Sequence, residues 1–531
     1  MTRSRTIPMR CDGALRSHAG APARGGASPE RPTRRSSARE HQVHHRSYFP
    51  CEPRPPGPCE RSPTADRDPP TGSTRVHDAA SAPDAPAPTA RPPLEVVVVC
   101  TRDVGGRATG RVVVLRSHLA ALERLGHRVR VVVIAPQAPA DGPWTRRFPT
   151  THVPSPGLLS TGASAVRAVL EPALRRVRRR PGPARPSTLN ECLFVDGRVR
   201  RLVARAGAGA DVVVLDGLRT ATAADRLEGA RVVVDLDDLL SDRYRRMLDR
   251  VRSSSRGSGA GSGAGAPVDV LGFAAERVPP ALRGPAAALA ASLLGFEARR
   301  AAAREGELAR SAAAVSLVST EEAGRLQQRT GRPVAWLPPA VDVPDEPVPA
   351  GEGLLFLGGL DYRPNADAVR VYRDEVLPAL RSALGERTPE LHLVGHCPPE
   401  LRAELEVPGV VVEGFVPDLR AALSRRALVA PLQDPGGVKL KVLDALAAGL
   451  PVVGTPQAFD GTGLPADLRF GAPDGAGLAR RAAEVVADDA LRDRLAAGGR
   501  AHVARTFSPA AGAERWGRLL DGVTAGAGAA R

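Results

Sequence analysis

The stretch that most constrains this chain is Glu95–Cys100, EVVVVC, an apolar run with no polar alternation. A strand of this kind must be covered on both faces, which places it inside a parallel sheet flanked by helices. The residues that follow keep to that plan. Thr101–Gly110 is a loop holding Gly105, Gly106 and Gly110. The spacing predicts a helix from about Arg111 to Leu125, which Gly126 stops before a second strand, His127–Ala135. Strand, glycine loop, helix, strand is the unit of a doubly wound α/β sheet. Asp211–Leu215, Arg231–Leu236, Ala314–Val318 and Val334–Leu337 read as further strands, and Leu294–Ala313 as a long helix.

A second series begins after the Pro- and acid-rich linker Val341–Gly353. Leu354–Leu357 reads as a strand, Gly358-Gly359 as a turn and Asn365–Ala383 as a helix. Leu391–Val394, Val410–Val412, Leu428–Pro431 and Pro451–Gly454 read as strands, and Pro509–Leu520 as a closing helix. The expected fold is α/β, with two tandem Rossmann-like domains facing a cleft. The first covers 93–340 and the second 354–508, joined by the 341–353 linker. A disordered Arg/Pro-rich extension precedes them at 1–92, a Gly/Ser-rich flexible insertion falls at 253–266, and a helix and tail occupy 509–531. At 531 residues the chain has room for both cores.

The net charge of +16 comes almost wholly from arginine, because Lys439 and Lys441 are the only lysines among 74 basic residues. Asn (Asn190, Asn365) and Ile (Ile7, Ile134) are as scarce. All three have AT-rich codons, so coding bias accounts for the arginine excess and the charge no longer argues for nucleic acid. Aromatics at 3% are too few for base-stacking modules. The six cysteines form no CxxC pair, which indicates neither a zinc site nor a disulfide framework and fits a reducing cytosol. No apolar run reaches about 18 residues. The expected location is therefore cytoplasmic. Arg175–Arg180 fits peripheral contact with an anionic membrane and fits a solvated helix end equally well.

Where lysine is this rare, its placement is informative. Both lysines fall in Gly436–Asp444, GGVKLKVLD. Gly436-Gly437 lets the backbone approach a ligand closely. The helix is predicted to start near Val438 or Lys439, with its free N–H groups and positive dipole end toward the cleft. Leu440, Leu443 and Ala447 form its buried stripe, and Gly449 closes it. A compact ammonium suits a phosphate where a planar guanidinium does not fit. Lys441 and Asp444, three apart, could simply form a surface ion pair worth at most about 0.5 kcal/mol. The paired glycines and the lysine placement favour an anionic ligand instead, with Asp444 one turn deeper to accept hydroxyl hydrogen bonds.

GGVKLKVLDALAAGLPVVGTP resembles the donor-binding motif of GT-B glycosyltransferases of the group-1, family-4-like type. LLFLGGLDYRPNADAV (354–369), VEGFVPDLRAAL (412–423) and ALVAPL (427–432) resemble other elements of the same C-terminal domain. VVVDLDDLLSDRY (232–244) and AVSLVSTEEAGRL (314–326) resemble a bacterial subgroup that builds surface polysaccharides. The likeness runs over about 94–520. It implies a retaining, metal-independent, hexosyltransferase-like enzyme with no cofactor. Its donor would be a nucleotide-diphosphate sugar bound mainly by the C-terminal domain, and its acceptor a glycan or lipid-linked molecule on the N-terminal domain.

Carried over residue by residue, the resemblance assigns Lys441 to the diphosphate, with Lys439 as the second candidate. Asp444 takes the place of the second acid of the family's E-x7-E pattern, a ribose ligand. The first glutamate would fall at Gly436 and is absent, leaving Asp434 or Gln433 as substitutes. The family's arginine would fall at Gly359, with Arg363 as its replacement; Gly358 and Gly437 belong to the same two loops. Gly414, Phe415 and Val416 stand where the base is read through backbone atoms. Gly105 and Gly106 match the loop beside the reacting phosphate.

Other readings stay in view. Asp235-Leu236-Asp237 has D-x-D spacing suited to a divalent metal, but one Rossmann unit would be expected with it. In the GT-B frame these acids line the acceptor side, with Asp237 a catalytic candidate and no metal. Asp238 could cap the next helix. No G-x-G-x-x-G is present, which argues against a dehydrogenase. His118 is expected to be a packed or surface histidine, and His396 a loop residue. The missing first glutamate also motivates a degenerate scaffold that binds a sugar nucleotide or a partner without turnover.

Overall fold

A computed structural model describes residues 92–157, 188–227, 229–256 and 283–525, all within one compact unit spanning 47–531. The 1–91 part of the extension, Arg175–Arg180 and most of the 253–266 insertion lie outside the described residues. Ser253–Arg256 finish a helix that starts at Leu240.

Among the described residues the first sheet has seven parallel strands: β1 Glu95–Cys100, β2 Arg128–Ala135, β3 Thr150–Pro154, β4 Val212–Asp216, β5 Arg231–Asp235, β6 Ala314–Leu317 and β7 Ala335–Trp336. Their order is β3-β2-β1-β4-β5-β6-β7. β1 is an interior strand, and its four valines are at most 2% exposed. Helices cover both faces, so the unbroken apolar run is satisfied on either side. The second sheet has five parallel strands: β8 Leu354–Leu357, β9 Leu391–Val394, β10 Val410–Gly414, β11 Ala427–Ala430 and β12 Val452–Gly454. Their order is β10-β9-β8-β11-β12.

Seven helices matter below: α1 Gly110–Arg124, α2 Leu240–Arg256, α3 Arg283–Ser311, α4 Thr320–Thr330, α5 Arg363–Val371, α6 Leu440–Ala448 and α7 Pro509–Ala525. In α1, Leu115, Leu119 and Leu122 recur at helical spacing and are buried, and the chain leaves through Gly126 at φ +80°. The predicted Asn365–Ala383 helix is one rod in three pieces, because a π turn at Tyr372–Val376 separates α5 from the helix Leu377–Leu384. In α6 the buried face is wider than the predicted stripe and includes Val442 and Leu446, while Leu440 is only partly buried.

The chain crosses between domains twice. After the linker and the second sheet, α7 returns to the first domain. Trp516, Leu520 and Val523 on α7 join the core built by β1, β2, β4 and α1. Among the described residues no helix is long and apolar enough to cross a membrane.

Candidate active site

In a doubly wound sheet the ligand crevice opens where the strand order reverses, outside the carboxyl ends of the strands. That point is β8/β11 in the second sheet and β1/β4 in the first.

At the second switch point, Gly358 follows β8 and α6 follows the loop from β11. Lys441 sits in the first turn of α6. Its Nζ donates to Asn365 Oδ1 at 2.6 Å and lies 4.3 Å from the centroid of the Phe356 ring. Asn365 Nδ2 in turn donates to the Gly359 carbonyl at 2.7 Å. One asparagine thus fixes both the lysine and the β8 loop. Gly358 is required here. Its φ is +141°, and a Cβ would lie 2.8 Å from Asn365 Nδ2 and 2.9 Å from Lys441 Nζ. Burial, and secondarily Lys439, pull the Lys441 ammonium down to about 7.

Lys439 occupies the cap position of α6, and its Nζ donates to the Gly436 carbonyl. Burial lowers its pKa, with Asp460, Asp434 and Glu322 pulling the other way. The Gly436 amide donates to Asp460 Oδ2 at 3.0 Å, and both glycines adopt positive φ, +91° and +63°. Asp444 forms no ion pair with Lys441. It is half-buried, and burial together with Asp342 pushes its carboxyl up to about 7. The simple surface-pair explanation of this helix is therefore not what the fold builds.

The remaining sequence candidates spread around this centre. Arg363 opens α5, is 63% exposed, and has its Nε 3.4 Å from Asp367 Oδ2. A Cβ at Gly359 would lie 2.6 Å from Asp361 Oδ1. Gly414 turns at φ +76° and its carbonyl accepts from the Gly395 amide at 2.8 Å. Phe415 is 53% exposed and Val416 packs on the second core. His396 is an exposed loop residue with Nδ1 3.6 Å from Asp361.

At the first switch point Arg111, in the first turn of α1, gathers three carboxylates. It meets Asp216, Asp235 at 2.7 Å and Asp237 at 2.8 Å. A guanidinium thus stands between the two acids of the D-x-D spacing. Asp237 is held at φ +68°, uncommon for a residue with a side chain, and burial pushes its carboxyl up to about 6. Asp238 pairs with Arg243. His118 is buried, edge-on to Trp516 at 5.4 Å, with Nδ1 3.5 Å from Asp235. The Gly105 amide donates to Asp103 Oδ1 at 2.8 Å and the Gly106 amide to the Asp103 carbonyl at 3.3 Å. A Cβ on Gly105 would strike the Ala140 carbonyl oxygen at 2.2 Å, so glycine is needed for the fit of the 140 loop. The two switch points face each other: a Cβ on Gly110, at the start of α1, would sit 3.8 Å from Leu440 of α6. Sequence reasoning had no means of finding Arg111, Asn365 or Phe356, whose partners lie far along the chain.

Two opposed parallel sheets, each with its reversal point at a shared cleft, define a protein of the GT-B fold. Residues 351–488, in the second domain, match the family described as glycosyl transferases group 1. Sucrose-phosphate synthase from Thermosynechococcus elongatus is structurally similar, with a TM-score of 0.52 at 17% identity over 81% of this chain and 100% of that one. So is a point mutant of S. aureus TarM in complex with Fondaparinux, alpha-GlcNAc-glycerol and UDP, with a TM-score of 0.50 at 8% identity over 81% and 100%. Among curated proteins none matches the chain.

Proposed function

We propose that this protein is a retaining, metal-independent glycosyltransferase. It moves a hexosyl group from a nucleotide-diphosphate sugar to a glycan or lipid-linked acceptor. The observation that carries this reading is the Lys441 ammonium, half-buried in the first turn of α6 and aimed by Asn365 across Gly358. The bond from the anomeric carbon to the diphosphate oxygen breaks as the acceptor oxygen bonds to that carbon, and the acceptor hydroxyl's proton passes to the departing diphosphate. Negative charge grows on the departing diphosphate, and a preorganised cation beside a helix N-terminus stabilises it without needing a metal. Asp444 serves the ribose hydroxyls. The Asp237 cluster lines the acceptor side, in a first domain whose fold is shared with a protein seen bound to alpha-GlcNAc-glycerol and UDP.

The test is a transfer assay with a panel of UDP- and GDP-sugars, with EDTA and with the product anomer read by NMR. Turnover that persists in EDTA and keeps the donor's anomeric configuration is expected. Inversion, or loss of turnover in EDTA that Mg²⁺ restores, overturns those parts of the reading. Tight donor binding with no turnover on any acceptor would favour the scaffold alternative that Gly436 motivates.

The lysine pKa gives a second expected outcome. A free-state pKa of about 7 means that Lys441 loses its charge as pH rises through neutrality. A bound diphosphate favours the charged form and raises that pKa. Binding of UDP or GDP at pH 8 should therefore take up about one proton, and affinity should weaken from about pH 7 to pH 9. Calorimetry in buffers of different ionisation enthalpy measures the uptake, which Lys441→Gln should abolish.

A further inference from the structure

Gly436 has space beside it that the first domain fills. A Cβ at this position would lie 2.9 Å from Arg246 Nη2 and 3.4 Å from Glu322 Oε1. Both side chains come from across the cleft, Arg246 from α2 and Glu322 from the first turn of α4. Glu322 is 0% exposed, yet among the described residues neither carboxylate oxygen has a hydrogen-bond partner of ordinary length and angle; the Leu239 amide favours its charge, and Arg325 Nη2 stands 3.7 Å from Oε1. Among the described residues Arg246 Nε is likewise buried without a partner. Leaving a buried polar group unsatisfied is costly, so the arrangement is complete only when something else fills those bonds. Both residues line a cavity of about 390 Å³ between the domains, closed on the other side by Pro435, Gly436 and Asp460.

We infer that Glu322 and Arg246 bind the hydroxyls of the donor's sugar ring, so that the first domain supplies the carboxylate that position 436 lacks. This rests on the donor-site reading above. The ligand must donate hydroxyl hydrogen bonds to Glu322 and accept from Arg246, which a polyhydroxylated ring does with adjacent hydroxyls. Burial, with Asp238 adding to it, pushes the Glu322 carboxyl up to about 7, while Arg325, Arg246 and the Leu239 amide oppose the rise. The cavity also sets a charge preference. Asp242, Asp249, Glu321, Glu322 and Asp460 supply five carboxylates to its lining, against the three guanidinia of Arg245, Arg246 and Arg325. Arg245 and Arg325 are already engaged by Asp242, at 2.8 and 3.0 Å. The ring it accepts is therefore neutral rather than a uronic acid.

The experiment compares nucleoside diphosphates with their sugars by calorimetry, using UDP, GDP, UDP-glucose, UDP-glucuronic acid and GDP-mannose. Glu322→Gln, nearly isosteric, and Arg246→Gln should each weaken the neutral nucleotide sugar by roughly tenfold to a hundredfold. Both should leave the matching free diphosphate unchanged. The wild type should prefer the neutral sugar to the uronate. Equal losses for sugar and free diphosphate, no loss in either variant, or a preference for UDP-glucuronic acid would each overturn the inference. Wild-type protein that binds none of the five probes would sink the donor-site reading itself, a different result from one that binds them but ignores Glu322. Melting temperatures of the two variants show whether either has lost its fold, and the remaining one then decides.

Discussion

Lys441→Ala should lower kcat by about 10²- to 10³-fold, the cost of removing one preorganised group that meets developing negative charge. Donor affinity should fall as well, because the ammonium also touches the ground-state diphosphate, but by less than kcat does. Lys441→Arg should rescue little. The guanidinium is broader than the ammonium, and the side chain is confined between the Phe356 ring, Asn365 and Gly358, where a single added carbon already comes within 2.9 Å of Nζ. Single-turnover kinetics separate the two losses. Unchanged binding and transfer in Lys441→Ala would remove this residue from the mechanism.

Trp516→Ala should destabilise the protein by about 3–5 kcal/mol, the usual range for deleting a fully buried indole. Trp516 is 1% exposed and is one of the largest side chains that the first core encloses. It also forms the edge-on wall for His118, which lies against Asp235. The loss should therefore appear in two places. The melting temperature should fall by on the order of 10 °C, and the Arg111–Asp235–Asp237 cluster should loosen, which hydrogen exchange on β5 reads. A melting point unchanged within about a degree would mean that α7 adds little to the first domain.

Much of this architecture was legible in the sequence, because parallel strands buried on both faces cannot disguise themselves. Glu95–Cys100, Leu354–Leu357 and Leu391–Val394 are strands with the expected bounds, and the glycines at 126 and 449 stop helices as predicted. β3, Thr150–Pro154 (TTHVP), gave no signal, since an edge strand has one open side and need not be apolar. The site was half legible. The lysines and glycines of 436–441 stood out because a compositional rarity and a local backbone demand both survive in one dimension. What holds them does not. Asn365 is 76 residues from Lys441, and Asp216, Asp235 and Asp237 lie more than a hundred residues beyond Arg111. Glu322 looks from sequence like an ordinary first-turn acid on α4. Its distinction is that the fold buries it against a glycine in another domain.

The return of α7 to the first domain has a consequence for how the protein is made. The chain leaves that domain at the linker and comes back only with Pro509–Ala525. Synthesis runs from the N-terminus, and domains usually close in the order they emerge. Here the face of β1 and α1 that Trp516 and Leu520 cover must wait, apolar and open, until the whole second domain has left the ribosome. The domain that is translated first is finished last. A nascent chain stalled before residue 509 would carry a folded second sheet beside an unsealed first one, which is the state a chaperone would have to hold.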